Sequence, residues 1–362
     1  MNIRAQLERI SDRRLNSGLE VTALGTSSGG GLAVIAAGEF KDTPEIAVWD
    51  LQTLQPARPL PAHGVIRSVA WSPDEKVVAT APGTLWFGGQ GVKGDSIFLW
   101  DPETGAQLSR FGGEFFGLHS LAFSPDGRLL ATAGRHGPME QDGNSCDVWE
   151  VASGKHMARL AENIGRVDDI SASFSSVAFS PDGALVIAGC SLKQYQARAD
   201  VTMKRPSISE IRWDYRGIRM WRLSDGGELD RIGYEGSVKT LSISGDGAAV
   251  FTAGEALAVW NLKDGRARWQ RGGGFTDVTN PVGQPAAMSR DGRFVARGIG
   301  YKEDHGPYVD TAVELCDANT GELLARAGHH AVVTALAFTD DGLSIIAGGE
   351  LGEVRHWRCV LR

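Results

Sequence analysis

Six of the eight histidines, His63, His119, His136, His305, His329 and His330, fall in or near connections between apolar stretches. Glu140, Asp142, Asp168, Asp169, Glu303 and Asp304 occupy connections of the same kind. Imidazole and carboxylate together are the groups that hold a divalent metal or relay protons at neutral pH. Their spacing forms neither pattern, because the chain has no HExxH pair and no phosphate-binding loop. The glycine-rich stretches FGGQGVKGDS and RGGGF join no strand to a helix, and the first lacks the Lys-Ser or Lys-Thr ending, so both read as turns. Neither a metal nor a cofactor is expected. Cys146, Cys190, Cys316 and Cys359 lie far apart in or beside apolar strands without ligand spacing. They read as buried thiols rather than disulfides.

Binding chemistry is written more clearly. Between Ser191 and Gly217, Tyr195, Ala197, Ala199, Val201 and Met203 alternate with polar residues, and Ile211, Trp213 and Tyr215 do so again after Arg205-Pro206-Ser207. Two period-two runs about a proline turn predict a β-hairpin with an apolar, aromatic side and a polar, basic one. Six cations, Lys193, Arg198, Lys204, Arg205, Arg212 and Arg216, face three acids there, opposite in sign to the whole chain's net charge of −7. Trp, Tyr and Arg are the residues that most often carry binding energy. Either the aromatic side docks a partner or a second copy, or the arm folds over a neighbouring part of its own chain. Trp86 and Phe87, with Tyr301 and Tyr308, extend the candidate surface. An aromatic cage drawn from Trp86, Trp213, Tyr215, Tyr301 and Tyr308 is a further reading.

The elements that must position these groups recur along the chain. Trp49, Trp100, Trp149, Trp221, Trp260 and Trp357 end apolar runs such as EIAVW and SIFLW, and Cys316 ends a seventh, TAVELC. Before each run lies an apolar strand, a turn and a second apolar strand, as in SVAWSPDEKVVATA, SLAFSPDGRLLATAG and SVAFSPDGALVIAG. The unit resembles the WD40 repeat, and the resemblance covers nearly the whole chain. It implies an all-β, seven-bladed propeller of four-stranded antiparallel blades. It also implies protein or peptide partners. In that family a His before the first strand, a Ser or Thr in the second and an Asp before the third join the Trp in a buried network. His63 and His330 stand near the first of these positions, but several repeats lack the Asp.

The distances between successive strand ends are 51, 49, 72, 39, 56 and 41 residues, against roughly 40 to 45 for one WD40 unit. The excess falls between the second and third strands of repeats 2, 3, 4 and 6, so these insertions share one rim of the disc, the binding face of a repeat scaffold. Only Arg358 to Arg362 follow Trp357, too few for a fourth strand, while AQLERI from Ala5 resembles the fourth-strand text AQLSRF from Ala106. Residues 1–17 are therefore expected to supply the outer strand of blade 7, a short helix being the alternative. Residues 1–362 are expected to form one domain with the hairpin at 191–217. The acidic chain, at pI about 5.7, argues against nucleic acid as a general ligand. With no signal-peptide core or membrane-length run, a cytoplasmic, non-catalytic scaffold is expected. An enzyme with a metal or small ligand at the channel mouth is the rival.

Overall fold

Each Ser-x-Asp-Gly segment folds as a self-bonded turn. Ser124 Oγ donates to Asp126 Oδ1 at 2.6 Å and accepts from the Leu129 N–H at 2.9 Å, while Asp126 Oδ1 accepts from the Arg128 N–H at 3.1 Å. The same set recurs at Ser72, Ser180, Ser244, Ser289 and Thr339. The hydroxyl, followed by the backbone amide, holds Asp74, Asp126, Asp182 and Asp246 below the usual carboxylate range. The residue after the Asp is left-handed, at φ near 70° for Gly127 and Gly183, which is why glycine stands there. In the second repeat Glu75 takes this position at φ 61°. Its carboxylate accepts from Ser28 Oγ at 3.0 Å and from the Gly29 N–H, so the strained residue ties its turn to the preceding one.

These turns join the first two strands of seven blades in a computed structural model that describes residues 5–15, 17–38, 44–61, 63–83, 95–136, 143–162, 166–167, 170–194, 217–229, 232–234, 236–254, 256–272, 285–302 and 306–361. Blade 1 comprises Val21–Thr26, Leu32–Ala37, Glu45–Asp50 and Gln55–Pro59, called strands A to D from the inside outward. Blades 2 and 3 share Gln107–Phe123, which serves as D of one and A of the next. Blade 4 is built on Ile170–Phe179, Leu185–Gln194 and Ile218–Arg222, blade 5 on Val238–Ile243 to Ala267–Gly272, and blade 6 on Ala286–Met288 to Leu323–Gly328. Blade 7 comprises Val333–Phe338, Ser344–Gly349 and Glu353–Leu361. No helix occurs among the described residues.

The expected closure by the N-terminal segment is what the fold shows. Ala5–Arg14 lies antiparallel to the last strand, from Ala5 opposite Leu361 to Arg14 opposite Glu353. Ala5 and Leu7 pack on the core between blades 6 and 7, and Leu15 is buried between blades 7 and 1. The inner strands complete the join: Thr334 Oγ1 donates to Val21 O at 2.6 Å and Thr26 Oγ1 to Phe338 O at 2.7 Å.

One apolar cluster lies in each of the seven gaps between blades. In six of them the strand C indole of the later blade packs on the earlier one: Trp49 on blade 7, Trp100 on blade 1, Trp149 on blade 2, Trp221 on blade 3, Trp260 on blade 4 and Trp357 on blade 6. Trp100, Trp149 and Trp260 also donate Nε1–H to Thr80, Thr132 and Thr252 in strand B, at 2.9, 3.2 and 3.0 Å. The seventh gap, between blades 5 and 6, has Cys316 in the indole's place. All four cysteines are free and buried. Burial pushes the Cys190 and Cys359 thiols up to about 12.

Ser124→Ala should lower the unfolding free energy by about 1–3 kcal/mol, the cost of stranding hydrogen-bonding partners, without altering the far-ultraviolet spectrum. Urea denaturation checks this, and an unchanged midpoint would show that the turn holds without its hydroxyl.

Candidate binding face and channel mouth

The innermost strands are not regular. A one-residue bulge interrupts strand A in six blades, leaving Thr22, Arg67, His119, Ser175, Lys239 and Thr334 as the extra residues. In blades 1, 2, 5 and 7 the bulge lies at the start of strand A, and so at the end of the disc where strand B runs into strand C, and in blades 3 and 4 the strand is prolonged beyond it towards that same end. A bulge bends its strand and re-aims a side chain, and here the neighbouring hydroxyls reach the next blade. Ser68 Oγ accepts from the Leu121 N–H at 3.0 Å, Ser120 Oγ accepts from the Val177 N–H at 3.1 Å, and Ser175 Oγ donates to Val238 O at 2.5 Å. The bulges stitch the inner ring and set Arg67, His119 and Lys239 around its mouth, with no carboxylate among the six positions. These residues were missed as a set in the sequence, although each is the variable second position of otherwise repeated text: IRSVAW, LHSLAF, VKTLSI, VTALAF.

The insertions spring from the same end of the disc. Strands B and C of blade 3 stay paired out to His136 opposite Gly143, and those of blade 6 out to Lys302 opposite Tyr308. In blade 4, strand B is prolonged to Gln194, but its added length pairs with strand A, Ile170 facing Gln194, while strand C joins only at Gly189 opposite Ile218. The hairpin residues Tyr195, Arg198, Lys204, Arg205, Arg212, Trp213, Tyr215 and Arg216 lie outside the described residues, as do Trp86 and Phe87. Tyr301 and Tyr308 are half-buried at the base of the blade 6 ribbon. Tyr301 faces Val309 across the ladder and Tyr308 faces Lys302. Neighbours in a strand point to opposite faces, so the two tyrosines do not converge on one ligand. Tyr308 instead reaches Glu350 of blade 7, and burial with that carboxylate raises its phenol pKa.

The histidines separate in the same way. His63 stacks on Phe98, ring centroids 4.5 Å apart, and His119 belongs to a bulge. The blade 7 histidine that turns inward is His329, not His330: it is buried 6.1 Å from the Trp357 ring, while the His330 side chain is 70% exposed. No cluster of three or more His, Cys, Asp or Glu suited to a metal occurs among the described residues. Ser27, spaced from Gly25 and Gly29 like a catalytic serine, is buried in a strand-to-strand turn, whereas that motif needs a strand-to-helix elbow.

Residues 54–101, 105–150 and 321–358 each match the WD domain, G-beta repeat family. Taken with the seven-bladed closed ring, the repeats decide the assignment. The chain is a WD40-repeat propeller. It is similar to the serine-threonine kinase receptor-associated protein of Gallus gallus, 25% identical over 143 residues that make up 40% of this chain and 35% of that one. The Homo sapiens protein of the same name is 24% identical over the same shares. The chain thus spans about a third of the length of these curated relatives.

On this WD40 propeller the seam between the closing strand and blade 7 forms a cavity of about 430 Å³ lined by Asp12, Arg13, Arg14, His330, Leu351 and Glu353. Behind it, His329 donates Nδ1–H to Ala331 O at 2.9 Å and stands 3.6 Å from Glu353 Oε2. Burial drives both towards neutrality: the His329 pKa falls to about 4, and that of Glu353 rises. The pair is therefore not an ion pair at neutral pH. Arg355 is buried on the other side of Glu353, its Nη2 at 2.8 Å from Oε1.

Unfolded His329 takes up its proton near pH 6.5 and the folded form only near 4. Its contribution, about 3 kcal/mol by the usual 1.36 per pK unit, is complete above pH 6.5 and is lost as pH falls towards 4. His356 acts in the same direction, and Glu353 against it. Urea midpoints between pH 7 and 4.5 should decline less steeply in His329→Gln than in wild type; parallel slopes would contradict a neutral buried imidazole.

Proposed function

We propose that this WD40 propeller is a non-catalytic interaction scaffold that binds a protein or peptide partner through its insertion-bearing face. The observation that carries the reading is the convergence, at one end of the disc, of the bulged mouth bearing Arg67, His119 and Lys239 with the origins of the long connections. A scaffold role agrees with the repeat family and with similarity to a protein whose name describes association with a kinase receptor. The basic mouth on an acidic chain favours an acidic protein segment over nucleic acid. The blade 4 residues Tyr195, Arg198, Lys204, Arg205, Arg212, Trp213, Tyr215 and Arg216, with Trp86, Phe87, Tyr301 and Tyr308, extend this contact surface in the proposal, which leaves self-association through the arm as one form of it. The whole chain, 1–362, acts as one unit, and four unpaired thiols suit a reducing intracellular compartment.

Affinity purification at low salt tests the reading with wild type, a deletion of Lys193 to Arg216, and the Arg67→Glu/Lys239→Glu pair. Specific proteins should be recovered by wild type, and their yield should fall about tenfold or more in the variants, as for loss of interface hot spots. Raising the salt should weaken capture. Equal recovery by all three proteins, or capture indifferent to salt, would overturn the assignment.

A further inference from the structure

The gap between blades 5 and 6 is the one in which the repeat's indole is missing, and it is also hollow. A cavity of about 250 Å³ lies between the two blades there, lined on strands B and C by Phe251, Leu257, Val295 and Cys316. Strand D of blade 5 supplies one wall through Trp269 and Arg271, and blade 6 the other through Arg297 and Leu323.

The rest of the ring shows what shape belongs in this space. At the equivalent gap between blades 2 and 3, Phe111 of strand D packs on the Trp149 indole, centroids 5.7 Å apart, and the Phe111 ring also covers Gly154 of the next C–D turn. Trp269 stands opposite Val259, the register of Ser109, with Arg271 in the register of Phe111, but its ring takes Phe111's place over the matching turn, lying on Gly321 with its Nε1–H donating to Ala318 O at 2.8 Å. Trp269 is therefore not a substitute for the absent indole. It is the ring on which that indole would stack.

The electrostatics of the rim are equally specific. In strand B, the position that carries Thr80, Thr132 or Thr252 in other blades is Arg297, held to Glu314 by bonds of 2.8 and 2.7 Å. That pair satisfies itself. Arg271 lies 6.0 Å over the Trp269 ring on an exposed strand, ARWQRG, that holds no acid, and it has no ion-pair partner among the described residues. Leu323 is 48% exposed at the other lip. An aromatic slot edged by a guanidinium with no acid paired to it among the described residues matches an aromatic residue set among acidic ones.

We propose that the blade 5–blade 6 groove is a docking site for a tryptophan side chain of an acidic partner segment, which inserts where the other six interfaces carry their own indole. The ring stacks on Trp269 against Cys316 and Leu257, and a flanking carboxylate meets Arg271. This contact lies on the circumference and is independent of the binding face proposed above.

Isothermal titration with an acetylated Asp-Glu-Trp-Glu-Asp peptide tests the site. Wild type should bind it, and replacement of the peptide's Trp by Ala, or Arg271→Glu in the protein, should weaken binding about tenfold or more. Cys316→Trp refills the slot from within, so it should abolish peptide binding while keeping or raising the melting temperature. Arg271→Glu is exposed and leaves the core intact, so it decides the matter if Cys316→Trp fails to fold. The proposal is overturned by the absence of peptide binding, by equal affinity of the Ala peptide, or by binding unchanged in the variants. Indole-3-acetate binding as tightly as the peptide would assign the groove to a small aromatic acid, and dimerisation by light scattering that is lost in Cys316→Trp would assign it to a second copy; either overturns the partner segment. Charge reversal at Arg67 and Lys239 should leave peptide affinity unchanged, which separates this site from the channel mouth.

Discussion

Six of the seven blades are held to the one before by the indole that ends the third strand. A four-stranded sheet has two apolar faces and no way to bury both alone, so a propeller is stable only when its blades pack on one another and the ring returns on itself. Trp49, Trp100, Trp221 and Trp357, each no more than 2% exposed, are the largest buried groups and stand at four different gaps. Truncating one such ring costs roughly 3–5 kcal/mol, a large fraction of a typical folding free energy. Everything functional on this disc depends on that fit, because loops and bulges are aimed only as well as the blades beneath them are fixed.

Much of this was legible in the sequence because it is encoded locally. A hydroxyl, an Asp and a Gly in fixed order make a turn without help from elsewhere, and an apolar run ending in Trp makes a strand with one face committed to a neighbour. The resemblance of AQLERI to AQLSRF carried the ring closure, and Cys316 was recognisable as a seventh strand end despite its different chemistry. Other features depend on register. A single extra residue in strand A is invisible until the partner strand is placed, so Arg67, His119 and Lys239 could not be grouped beforehand. Adjacent His329 and His330 differ only in which one the chain turns inward, and the backbone at Ala331 decides that. Tyr301 and Tyr308 looked like partners in a cage until the ladder set them on opposite faces.

The same architecture explains how charge is distributed. Buried and half-buried charges in the third strand are matched within their own blade: Asp147 with His156 and Arg159, Arg219 with Glu228, Glu314 with Arg297. Such pairs contribute little net stability but are costly to break. Arg67, His119 and Lys239 gather at the mouth of a chain that is acidic as a whole. The blade 5–blade 6 seam departs from the rule in a different way, having lost the ring that seals its counterparts and retained an exposed arginine beside the space.

The central claim is that the strand C indole seals six of the seven gaps and that the gap between blades 5 and 6 lacks its seal. Native-state hydrogen exchange, followed amide by amide, measures it most directly. The account predicts that Leu257 to Val259 and Val313 to Cys316, flanking the hollow seam, open at lower free energy than Ile97 to Leu99 and Cys146 to Trp149, which flank a filled one. Equal protection at the two seams, or greater protection beside Cys316, would contradict it.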